Sequence, residues 1–153
     1  MEKFWITIAM KKINELRIAI VSATFHKEVT DNLEKHCVEI LKDKGLANDQ
    51  IDITRIPGAL EIPLMAKMLA KKKIYDAIIV FGAIHKGKTT HFELISQECA
   101  RGCMDVSLEF EIPVIFEVLT VMDIADALER ATRKKENKGD EAALTALEMV
   151  RLM

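Results

Sequence analysis

The residues with the most chemical promise lie together, in GAIHKGKT at 82–89 followed by Thr90 and His91. The stretch fits G-x-x-x-x-G-K-[ST], a phosphate-cradling pattern, and falls between an apolar strand-like run and an amphipathic one, as that pattern requires. Gly87 permits a close approach. Lys88, Thr89 and Thr90 bring backbone N–H groups to a helix start, where anions are favoured. Thr89 or Thr90 also reads more simply as a helix cap, and the two roles can coexist. His91 comes next, and an imidazole titrates in the right range to move protons near neutrality. Away from such a loop it would read as a surface histidine. The expectation is a phosphate-bearing ligand with a proton-transfer group beside it.

Taken alone, the loop suggests a nucleotide hydrolase. Its place in the chain argues otherwise. In such domains the loop normally follows the first core strand, with more sheet and a metal-holding Asp downstream. Here it follows the third strand, and one clear strand remains. That strand, PVIFEVLT, carries Glu117 mid-run, and no Asp follows until Asp123.

The elements that must position these residues follow a regular rhythm. RIAIVSA at 17–23 is a β-branched apolar run. From Val29, apolar residues recur at Leu33, Cys37, Ile40 and Leu41, a helical spacing that Gly45 ends. IDITRI is a second strand ending at Pro57-Gly58, and LEIPLMAKMLAKKK is a helix with a lysine-rich exit suited to its dipole. YDAIIVFGAI is apolar on both faces, as in a covered parallel sheet. HFELISQECARGCMDVSLEF is helical, with Phe92, Ile95, Cys99, Cys103 and Val106 along one face. PVIFEVLT is the fourth strand, and DIADALERAT and DEAALTALEMVRLM are closing helices.

The order β-α-β-α-β-α-β-α-α with short connections predicts a single-domain, doubly wound α/β fold, a four-stranded parallel sheet flanked by helices in three α/β/α layers. Residues 17–153 make this domain, and 1–16 form an N-terminal arm. Within the arm, FWITIA at 4–9 reads either as a frayed terminus or as an extra edge strand added to a neighbouring subunit. Ligands on such sheets bind beyond the carboxyl ends of the strands. Those ends are Thr24-Phe25-His26, Pro57 to Glu61, Gly82 to His91, and the region after Thr120, so one site at that edge is expected.

Composition narrows the partners. The 153 residues are 50% hydrophobic and 30% charged, with 22 Lys+Arg against 24 Asp+Glu and a net charge of −2. That balance speaks against nucleic acid as the main partner while leaving room for a local cationic pocket. The apolar runs fall well short of the roughly 20 residues a membrane helix needs. FWITIAM lacks the features of an export signal. Three cysteines, an odd number, argue for a reducing cytoplasm over a disulfide framework. Cys99 and Cys103 are four apart but have no further ligand at suitable spacing, so they read as buried small side chains rather than metal ligands.

Phe25 after the first strand, RIPGALEIP at 55–63, GAIHKGKTTHF at 82–92, VSLEFEIPVIF at 106–116 and ERATRKKENKG at 129–139 together resemble lumazine synthase in order and spacing, over residues 17 to 150. Archaeal riboflavin synthases share the fold but not this set of blocks. The resemblance implies a flavodoxin-like fold and condensation of 5-amino-6-(D-ribitylamino)uracil with 3,4-dihydroxy-2-butanone 4-phosphate to 6,7-dimethyl-8-ribityllumazine, the penultimate step to riboflavin. It implies that Phe25 stacks on the pyrimidine. Ala59, Leu60 and Glu61 line the pyrimidine and ribityl site, and Ala83, Ile84 and His85 continue that wall. Lys88 and Thr89 hold the phosphate, and His91 shuttles protons. Phe116, Arg130 and Lys138 come from the neighbouring subunit, with Arg130 a phosphate clamp whose planar fork matches phosphate oxygens. No metal or organic cofactor is implied. The expected assembly is a homopentamer, with an icosahedral shell and an association with riboflavin synthase as further readings.

Each residue has a plainer reading: Phe25 or Phe116 as core aromatics, Glu61 as a first-turn charge, Arg130 and Lys138 as solvated cations. His26 stands where this family usually has Asn, Lys86 where Arg is frequent, and His85 where an aliphatic residue is common. The competing functions are a nucleotide hydrolase and a non-catalytic shell or flavin-binding scaffold of the same fold.

Overall fold

In Ile18–Ala23 (β1) every residue is buried, and in Ala77–His85 (β3) all but the last. Side chains apolar on both faces cannot rest against water on either side, so these two strands take the middle of the sheet. Ile51–Ile56 (β2) alternates buried ends with exposed Ile53 and Arg55 and sits at one edge. Val114–Val121 (β4) takes the other. The sheet is parallel throughout, in the order β2-β1-β3-β4. The computed structural model describes residues 11–153. The expected strand at 4–9 lies outside the described residues; at 13–15 the arm makes a short 3-10 turn, after which Leu16 is buried.

Among the described residues, five helices cover the two faces. Lys27–Asp43 (α1), Ile124–Thr132 (α4) and Lys138–Leu152 (α5) pack on one, around Ile20, Leu33, Phe81 and Ala143. Ile62–Lys71 (α2) and His91–Phe110 (α3) pack on the other, around Val21, Ile62, Val80 and Cys99. The result is the expected three-layer α/β/α fold. Small residues set the closest approaches. A Cβ on Gly102 of α3 would lie 2.7 Å from Pro63 of α2, so glycine lets these helices touch. Gly139 plays the same part between α5 and α1.

Two boundaries differ from expectation. The helix expected from Leu60 opens instead as a 3-10 turn, Ala59–Glu61, and becomes α-helical at Ile62, with Pro63 in the first turn where its missing N–H costs nothing. The last helix begins at Lys138 rather than Asp140. Buried Asn137 accepts hydrogen bonds from the N–H groups of Gly139 (2.8 Å) and Asp140 (3.4 Å) and donates to the carbonyls of Ala131 and Arg133. A cap tied on both sides fixes the helix start against the preceding turn.

Candidate active site

In the order β2-β1-β3-β4 the chain departs in opposite directions from β1 and β3, and the crevice between their carboxyl ends is the place such sheets offer a ligand. A cavity of about 510 Å³ opens there. β1 delivers Phe25 and His26 to it. The turn after β2 delivers Ala59, Leu60 and Glu61; β3 delivers Ala83, Ile84 and His85; and the start of α3 delivers Thr89 and His91. Most of the residues singled out from the sequence therefore share one space. A cavity of equal volume lies among Tyr75, Asp76, Phe110 and Met153, where strands begin rather than end, and it holds no histidine.

Phe25 is 76% exposed, so it is no core aromatic: its ring stands in the cavity mouth with an open face. Glu61 turns its carboxylate back over Gly58, where a Cβ would come within 3.0 Å of Oε2. The glycine thus leaves room for that acid at the cavity wall. Phe92 and Ile95, expected as core, also line the cavity and supply its apolar floor. That double use is invisible to helical periodicity, which reports only that they face inward.

The GAIHKGKT stretch is not folded as a nucleotide loop. Gly82 to His85 are the last residues of β3, in register with Val118 to Val121 of β4. Their backbone groups belong to the sheet ladder and cannot wrap a triphosphate. Only Lys86 to Thr90 form the connection. Thr89 Oγ1 accepts from the His91 N–H at a long 3.4 Å, and Thr90 makes no side-chain cap, so the helix start keeps donors for an anion. Lys88 is exposed and does not line the cavity. Lys86 reaches Glu93 at 3.5 Å.

Arg130 and Lys138 are not in this cavity. They line a second one, of about 390 Å³, with Thr120, Met122 and Asp126, beyond the end of β4. Arg130 makes no ion pair among the described residues, while Lys138 Nζ meets Glu141 at 2.5 Å. Phe116 lines neither space. It is half-buried on the face of β4 toward α2 and α3. One chain thus carries two separated groups of the expected residues.

The comparison with known families bears on the reaction and leaves the roles of the two cavities to the geometry. The family model described as 6,7-dimethyl-8-ribityllumazine synthase matches residues 15–153, essentially all of the chain. The chain belongs to that family. With the family comes its transferase reaction, the condensation of the ribitylated aminouracil with the ketone phosphate in riboflavin biosynthesis.

Three electrostatic details depend on how the fold packs these residues. His26 Nε2 lies 3.2 Å from His85 Nδ1, and burial followed by the neighbouring His85 holds the His26 imidazole below its ordinary pKa. The three cysteines are buried and free. Burial leads in pushing the Cys37 thiol up, and a hydrogen bond to Cys99 followed by burial does the same for Cys103, so both stay protonated. Among the described residues no helix is long and apolar enough to cross a membrane.

Glu117 is the third. It lies between Ile115 and Leu119 on the β4 face that packs against α5, and burial raises its carboxyl to about pH 7, with Lys138 lowering it and Glu141 raising it. An unfolded chain would ionise Glu117 near 4.5. Between the two values the folded protein binds more protons than the unfolded one. The contribution of Glu117 to stability is therefore full below the lower value and lost as pH rises through the upper one. Glu117→Gln is expected to gain on the parent by about 1–2 kcal/mol between about pH 5 and about pH 8, after allowance for partial exposure. Urea denaturation at fixed protein concentration reads the gap; an equal gap at both pH values would refute it.

Proposed function

We propose that the cavity holding Phe25 is the pyrimidine half of an active site that two neighbouring subunits complete, and that this chain there carries out the lumazine-forming condensation. The observation that supports it is the division of cations and aromatic ring. Phe25, Glu61, Thr89 and His91 share one cavity, while Arg130 and Lys138 face another that opens beyond the edge strand. A second chain set against the first brings its Arg130, Lys138 and Phe116 to the open cavity.

In that arrangement the Phe25 ring stacks on the uracil, and Glu61 accepts hydrogen bonds from the ribityl hydroxyls. Ala59 and Leu60, with Ala83, Ile84 and His85, wall the pocket. The phosphate rests on the start of α3 at Thr89, with Lys88 and the neighbour's Arg130 as its cations. The substrate amine attacks the ketone, and water leaves as the imine forms. Elimination then expels inorganic phosphate, and the second amine closes the ring on the remaining carbonyl with loss of another water. The substrate supplies its own nucleophile, so the protein's task is to hold two reactants in place and move protons. His91, beside the phosphate seat, gives and takes those protons.

The same reading makes the chain a homopentamer of one-domain subunits, built from residues 17–153. An apolar face supports the assembly: Leu94, Met104 and Leu108 on α3 and Leu64 and Met68 on α2 are all more than half exposed. The short α4–α5 connection carries no insertion that would stand between pentamers packing into a shell, and such a shell is where riboflavin synthase, the next enzyme, would be met. Three buried free thiols suit a reducing cytoplasm.

The test is to mix the protein with both substrates and follow lumazine absorbance and phosphate release, without nucleotide. Equal molar product and phosphate are expected. A well-assembled protein that yields neither would leave a scaffold. In the same assay His91→Ala should lower kcat by about thirtyfold, less than many general acids give because water enters the open cavity and partly substitutes. Phosphate affinity should change far less. An unchanged kcat would remove His91 from the mechanism.

A further inference from the structure

Phe25 is the most exposed large apolar side chain in the cavity, and something must hold its ring if it is to receive a flat ligand. Its aromatic neighbour is His26, edge-on with centroids 4.8 Å apart. His26 in turn meets His85, also edge-on at 5.2 Å, through the 3.2 Å contact between Nε2 and Nδ1. The two histidines are 59 residues apart and meet because parallel β1 and β3 end side by side. The three rings form a row from the end of β3 to the cavity mouth.

We propose that the His26–His85 pair is a brace that sets the position of the Phe25 ring, and with it the affinity for the pyrimidine substrate, and that the brace lets go when the pair takes up its second proton. This rests on the reading of Phe25 as the ring that stacks on the pyrimidine. A neutral imidazole has one N–H and one lone pair. The contact needs one proton between the facing nitrogens, so it survives with the pair neutral or singly charged. A second added proton puts N–H groups nose to nose and two positive charges a few ångströms apart, and the rings must separate.

His26 already resists protonation, through burial first and His85 second. The braced state is therefore present above the ordinary histidine range and lost as pH falls below it. The other charged groups around the pair are Glu61 from the turn after β2 and His91 from α3, which line the same cavity, with exposed Lys88 on the loop before α3. Lys27 of α1 pairs with Asp31, and Lys86 beside His85 pairs with Glu93. Both nearby lysines thus have carboxylate partners, and Glu61 is the one acid in the cavity that opposes release.

The experiment measures the dissociation constant of 5-amino-6-(D-ribitylamino)uracil with the ketone phosphate withheld, on the assembled protein. Between about pH 7 and about pH 4.5 the constant should rise roughly tenfold, with most of the rise below about pH 6, because release waits for the second proton. His85→Ala should weaken binding at the higher pH and flatten the profile. His85→Gln, which still hydrogen-bonds but does not titrate, should restore affinity and stay flat. On a Phe25→Leu background His85→Ala should add little, because the brace acts through the ring. A flat profile for the parent overturns the brace, and so does a His85→Ala loss that is the same with and without Phe25. If Phe25→Leu alone leaves the constant unchanged, the assignment of Phe25 is the part that fails, and the brace goes with it.

Discussion

Arg130→Ala is expected to lower kcat/KM for the ketone phosphate by about a hundredfold to a thousandfold, the loss of two charge-assisted hydrogen bonds to one phosphate. Arg130 lies in the last turn of α4 and lines the second cavity, with no ion pair among the described residues. Its neighbour in sequence, Arg133, is by contrast committed to the Glu136 carbonyl at 2.7 Å. A guanidinium left unpaired beside Lys138 is poised for an external anion. Arg130→Lys should recover part of the loss, as a point charge without the planar fork. The sharper form of the test uses two damaged proteins. If each site joins the Phe25 side of one chain to the Arg130 side of the next, unfolding and reassembling Arg130→Ala with Phe25→Ala makes some sites intact. Random mixing leaves both halves sound in about a quarter of them, so about a quarter of the parent activity should return. A site confined to one chain would return none.

Gly139→Ala is the substitution with the largest expected structural effect. A Cβ there would sit 2.4 Å from the Leu33 carbonyl oxygen and 2.9 Å from the His36 Cβ, both on α1. Neither partner is the loose end of a flexible side chain, so α5 must back away from α1. The expected cost is about 3 kcal/mol, with a fall in melting temperature of about 6–12 °C for a domain of this size. Activity should fall as well, because Lys138 precedes Gly139 and would leave its place in the second cavity. Gly87→Ala is the control. Nothing lies within 4 Å of a Cβ at Gly87, so stability should stay within about 0.5 kcal/mol. Thermal unfolding of the three proteins at one concentration decides it; a Gly139→Ala protein as stable as the parent would mean the helices have slack that the packing does not suggest.

The architecture was legible because its signals are local. β1 and β3 carry unbroken apolar runs, and α3 shows its inward face in Phe92, Cys99 and Val106, so period and length alone name these elements. Their exits then name the edge where Phe25, Glu61 and His91 gather. What stayed hidden depends on contacts between distant residues. His26 and His85 meet only because two strands are parallel and in register. Glu117 reads as an interruption in a strand, and its raised pKa comes first from burial on the face that α5 covers, which the strand's own sequence does not show. The cap signal at Asn137 was present, but Lys138-Gly139 following it has the look of a loop, and only burial of Asn137 against Ala131 overrides that. The nucleotide-loop pattern shows the opposite limit: its place in the chain already argues against a nucleotide hydrolase, but a spacing of glycines does not say that half the motif is hydrogen-bonded in a sheet.

The separation of Arg130 from Phe25 within one chain carries a consequence for how this enzyme fails. In the proposed shared site, with its halves on different molecules, every chain would serve two sites at once, and a chain that drifts away would take both out of service. Dilution or mild heat that parts the proposed ring would then silence turnover while each strand and helix stayed folded, and the working life of the protein would be set by the grip between neighbours before the core of any one of them.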